Sequence, residues 1–67
     1  MERLNPLDVR MHTDRRFVRW RRIARLLAAT PVERWRPKVV EAKLALEFDL
    51  SRQYGDRFLR AVNAEDI

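Results

Sequence analysis

Apolar residues recur along this chain with the period of a helix. Between Arg15 and Ala29 no proline or glycine intervenes. At about 100° per residue, Phe17, Trp20, Ile23, Ala24, Leu27 and Ala28 fall on one arc. Arg15, Arg19, Arg21, Arg22 and Arg25 fall mostly opposite, with Val18 and Leu26 among them. This is the clearest amphipathic pattern in the chain, and it predicts a helix over residues 13–29. Thr13 is the expected cap, with Asp14 in the first turn, where a carboxylate suits the helix dipole. Pro31 disfavours helical backbone at Thr30 and so stops the run.

A second long helix is expected from Pro37 toward residue 49 or 50. Its apolar positions form two stripes, Val39, Ala42, Leu46 and Leu50 on one side and Val40, Leu44 and Phe48 on another. Residues 43–50 also alternate apolar and polar, as a half-buried strand would. Helix is favoured, because a single strand with no similar partner cannot satisfy its own backbone. Ser51 can cap a last helix over 52–63 with Tyr54, Phe58, Leu59 and Val62 on its apolar side. Gly55 weakens that helix by up to ~1 kcal/mol relative to alanine. The alternative is one continuous helix from Pro37 past Ser51 that bends near Gly55.

Shorter signals fill the gaps. Asn5-Pro6-Leu7-Asp8 sets a cap, a proline at the first helical position and an acid behind it, predicting a short turn over 6–11. Thr30-Pro31-Val32-Glu33 fits a capping box. Pro37 would interrupt a helix begun there, so residues 31–36 are read as one turn. Residues 63–67 are expected to fray.

The expected fold is all-α, a small bundle of three main helices over 13–29, 37–50 and 52–63 with a short N-terminal helical turn, in one domain. The helix from Pro37 would lie centrally, one stripe toward the arginine-rich helix and the other toward the C-terminal helix. If its second stripe is left uncovered, a homodimer or a larger complex should cover it.

Size and composition sharpen this. At 67 residues, such a chain buries only roughly 60% of the surface it exposes when unfolded. There is no cysteine and only one histidine, His12, which closes the disulfide and zinc routes to extra stability. No metal or cofactor is expected, and a partner is the remaining source. The absence of cysteine suits a reducing cytoplasm. No apolar run approaches the ~18 residues of a membrane span, and Met1-Glu2-Arg3-Leu4-Asn5-Pro6 lacks the apolar stretch of a secretory signal. The chain is read as soluble and cytoplasmic.

The net charge of +5 is unevenly placed. Residues 1–38 hold eleven basic and four acidic side chains, net +7; residues 39–67 hold four and six, net −2. Such asymmetry points the first half toward a polyanion. Thirteen of the fifteen basic residues are arginine, whose planar fork pairs bidentately with phosphate or carboxylate. Arginine-favouring codon usage would explain the ratio but not the clustering.

The densest cluster, residues 15–25, has six arginines in eleven positions and would span ~16 Å as a helix. The plain alternative to phosphate binding is a solvated face on a core helix, although a stripe nearly free of acids repels itself. The triplet Arg-Trp-Arg occurs at Arg19-Trp20-Arg21 and again at Arg34-Trp35-Arg36. Rings between guanidinium groups could stack on bases; Trp20 sits on the apolar arc and reads as a core anchor, and Trp35 is open to either use. A basic amphipathic helix could also lie on an anionic membrane, but its apolar arc suits packing within the chain equally.

Catalytic constellations are weak. Asp8 and His12 stand four apart and could pair, yet Ser51 is the only serine and no nucleophile lies near. Glu41, Glu47, Asp49 and Asp56 lack metal-loop spacing. A helix–turn–helix around Ser51, presenting Arg52, Gln53, Arg57 and Arg60, lacks a characteristic turn. No enzyme is expected. The candidate binding residues are Arg15, Arg19, Arg21, Arg22, Arg25, Arg34, Trp35 and Arg36, with nucleic acid as the expected partner and an acidic protein surface, met by an inhibitor, adaptor or small subunit, as the alternative.

Overall fold

Four α-helices and one 3-10 turn make up the computed structural model of the chain, which describes residues 6–65. Helix α1 spans Pro6–Thr13, α2 Arg15–Ala28, α3 Pro37–Tyr54 and α4 Asp56–Glu65, and the 3-10 turn at Val32–Arg34 joins α2 to α3. The architecture is the all-α bundle of three main helices with a short N-terminal one. No strand occurs among the described residues. The alternation at 43–50 is therefore helical, and Lys43 donates to Glu47 across one turn at 2.8 Å. Asn5 as a cap lies outside the described residues, as do Asp66 and Ile67; of the stretch 63–67 expected to fray, residues 63–65 instead form the end of α4.

Helix ends differ from expectation in three places. Thr13 does not cap α2; it closes α1, its hydroxyl donating to the carbonyls of Val9 and Arg10 at 3.1 Å each. Asp14 is the cap, with extended backbone and a carboxylate that accepts the Arg16 amide at 2.8 Å. No capping box forms at Thr30, whose hydroxyl donates backward to the Leu26 carbonyl at 2.6 Å. The 3-10 turn has no side-chain cap.

The third difference sets the shape of the C-terminal half. Ser51 lies inside α3, which continues to Tyr54 and stops at Gly55. Gly55 has φ 59 and ψ −128, a conformation that residues with a Cβ rarely adopt. Its amide donates to the Ser51 carbonyl at 2.9 Å, and its carbonyl accepts from the Phe58 amide at 3.0 Å. One glycine thus ends one helix and starts the next.

Met11, Phe17, Trp20, Leu50, Tyr54 and Phe58 form the buried core, with Ala24, Leu46, Ala61 and Val62 packed against it. Phe58 meets Trp20 edge-on at 4.9 Å between ring centroids, and Phe17 lies 5.4 Å from Trp20, separations at which aromatic pairs attract. The Trp20 indole donates to the Glu47 carboxylate at 3.0 Å, so this anchor carries no unmet polar group. The first stripe of α3 is inside through Leu46 and Leu50. The second is not covered by α4: Leu44 is 58% and Phe48 64% exposed.

Candidate functional site

Burying Phe17, Trp20 and Leu27 fixes how α2 is rotated and which arginines face outward. Arg15, Arg19 and Arg22 are exposed. Spaced four and three residues apart, they share one line along the helix. Their rise along the axis is ~10 Å, and Leu26, 56% exposed, continues the line one turn further. Among the described residues, no carboxylate forms an ion pair with any of the three.

The remaining arginines of the cluster have other occupations. Arg16 is bound to the Asp14 carboxylate at 3.0 Å and also donates to the Gln53 side chain. Arg21 is half-buried, its guanidinium 5.7 Å from the centre of the Phe17 ring. Arg25 is exposed and makes a contact of its own. Of the five α2 arginines expected to bind, three therefore form the open row and two lie to its flank.

The second Arg-Trp-Arg triplet stands at the C-terminal end of that row. Trp35 is 38% exposed, and its indole N–H donates to the carbonyls of Leu27 at 3.1 Å and Thr30 at 2.9 Å. A helix leaves its last carbonyls without internal partners; here the Trp35 indole serves one of them. The tryptophan is thus a side-chain cap for α2, a role its sequence neighbourhood did not signal. Locking the indole edge leaves a shallow cleft of ≈ 170 Å³ bounded by Leu26, Leu27, Thr30, Arg34, Trp35, Arg36 and Val39. Leu26 belongs to both row and cleft, so Arg15, Arg19 and Arg22 lead toward Arg34 and Arg36. The sequence reading placed Leu26 among the outward arginines but did not count it with the candidate binding residues, although its place four residues beyond Arg22 carried the signal.

The carboxylates of Asp14 and Asp8 are already engaged. Asp14 accepts from Arg16 and from the Tyr54 hydroxyl, the latter at 2.7 Å. The Arg16 bond, opposed by burial and aided by Tyr54, holds Asp14 down at about 2. Burial and the Asp14 bond push the Tyr54 hydroxyl above its ordinary value. Asp8 accepts from Arg57 at 3.3 Å. The side-chain pairing with His12 that the i, i+4 spacing allows does not form: the imidazole Nδ1 is 2.7 Å from the Asp8 backbone carbonyl. Among the described residues no group of three acidic or histidine side chains could hold a metal ion, and no helix is long and apolar enough to cross a membrane.

Comparison with known proteins found no family model, curated protein or solved structure that matches the chain.

Proposed function

We propose that the protein is a non-catalytic binding protein whose α2 face contacts a nucleic-acid backbone. The observation that carries this reading is the line of Arg15, Arg19 and Arg22, exposed and without an ion-pair partner among the described residues. Like charges at helical spacing repel by a few tenths of a kcal/mol per pair. Positive charge near a helix N-terminus also opposes the dipole, and in α2 the Asp14 cap is the one acid at that end, with none in the first turn. The row therefore works against the stability of its own helix, which a polyanion docked along it would reverse.

The cleft extends the same contact. Arg34 and Arg36 flank an indole whose face is partly open, an arrangement suited to a phosphodiester beside a stacked base. Phosphate contacts of this kind orient a protein on a strand and are nearly blind to sequence. Binding should accordingly be broad in sequence and steep in salt.

Fluorescence anisotropy with a labelled nonspecific duplex and a labelled structured RNA tests the proposal. The wild type is expected to bind at low salt, and Arg19→Glu/Arg22→Glu to bind at least ~10-fold more weakly, since each lost phosphate contact removes released counterions. Equal affinity in both proteins would overturn it. Binding of an acidic protein but neither nucleic acid would instead assign the row to carboxylates.

A further inference from the structure

The outer face of α3 is a separate surface. Leu44 and Phe48 stand one turn apart on it, 58% and 64% exposed, and Phe48 is the most exposed large apolar side chain among the described residues. Leu50 and Tyr54, on the other side of the same helix, are buried in the core. Leu44 and Phe48 make a short apolar line, ~6 Å along the helix axis, with no described element covering it.

We infer that a second copy of the chain covers it, with two α3 helices packed antiparallel about a two-fold axis beside the Leu44–Phe48 line. The charges on this face select that occupant. Glu41 and Arg52 lie on one flank of the apolar line, three residues before Leu44 and four after Phe48. When two such helices run antiparallel, Leu44 of one copy meets Phe48 of the other. Glu41 then lies within one residue's rise, ~1.5 Å, of the level of Arg52 across the interface, and symmetry makes the pair twice. A parallel arrangement would instead place each charge level with its own copy. An isologous surface must be self-complementary in this way, and like charges facing each other suppress wrong registers.

Both charged groups are available. Glu41 is exposed and forms no ion pair among the described residues. The Arg52 guanidinium rests over the Phe48 ring at 5.7 Å, a contact that leaves its outer donors free to reach a carboxylate. Pairing through α3 leaves the α2 row open, since that row points away from the core α2 shares with α3. The inference does not depend on what the arginines bind.

Analytical ultracentrifugation over a concentration series, without nucleic acid, tests it. The wild type is expected to sediment as a monomer–dimer equilibrium. Phe48→Asp should abolish the dimer while circular dichroism stays helical, because Phe48 is not a core residue. Glu41→Arg alone and Arg52→Glu alone should each weaken dimerisation at least ~10-fold, and the double exchange Glu41→Arg/Arg52→Glu should restore it. A monomer at every concentration overturns the inference and leaves the face to a different partner. A dimer insensitive to Phe48→Asp, or one not rescued by the double exchange, overturns it as well.

Discussion

Asp14 shows how much a single side chain can fix in a chain of this size. Its carboxylate caps α2, holds Arg16 and accepts the Tyr54 hydroxyl, linking the start of one helix to the end of another forty residues away. Because its folded value is held at about 2, below the ordinary 3.8 of an aspartate, it contributes stability above pH ~4 that is lost as pH falls toward 2. The contribution is roughly 1 kcal/mol after solvent screening. Asp14→Asn keeps a competent cap but removes the charge. Urea unfolding from pH 5 to 2 should show a lower plateau at pH 5 and a shallower acid decline than the wild type; an equally steep decline would contradict this role. The sequence reading made Thr13 the cap and placed Asp14 in the first turn, whereas Asp14 is the cap. The choice was settled by Arg16 and Tyr54, and the Tyr54 contact crosses too long a stretch of chain for a local pattern to register it.

At the scale of the element, periodicity located all three main helices and turned α2 the right way round. That succeeded because a 14-residue helix with Phe17, Trp20 and Leu27 on one side has only one way to bury them. The joints were less legible. Ser51 carries an ordinary cap residue, but a cap acts only where the backbone leaves the helix, and Gly55 is where it can. The sequence reading that allowed a continuous helix to bend at Gly55 lies closer to the structure than the one that capped at Ser51. A Cβ at Gly55 would meet no atom within 4 Å, so the penalty of Gly55→Ala is conformational. It should cost about 1–3 kcal/mol, read as a drop in melting temperature. Unchanged or raised stability would mean that the α3–α4 joint tolerates another backbone. Trp35 was equally hidden, since nothing in the triplet Arg34-Trp35-Arg36 says that its indole reaches back to the end of α2.

The whole molecule is long and thin, 43 × 23 × 17 Å with a radius of gyration of 12.7 Å, against ~11 Å for a compact chain of its length. A shape of that kind has little interior, and it leaves two surfaces of opposite character open. The arginine row lies on the outer side of α2, and the Leu44–Phe48 line on the outer side of α3. The row was visible in the charge asymmetry of the sequence. The uncovered line was visible only as a condition, since its exposure depends on where α4 turns after Gly55. The most direct test of the arginine row is the salt dependence of nucleic-acid affinity between 50 and 200 mM monovalent salt. With the three open arginines on phosphates the log–log slope should be at least about −2.7 for duplex DNA, steeper where Arg34 and Arg36 join the contact, and Arg22→Ala should reduce it by ~0.9. A slope near zero, or one unchanged by Arg22→Ala, would contradict the assignment of the α2 face to a phosphate backbone.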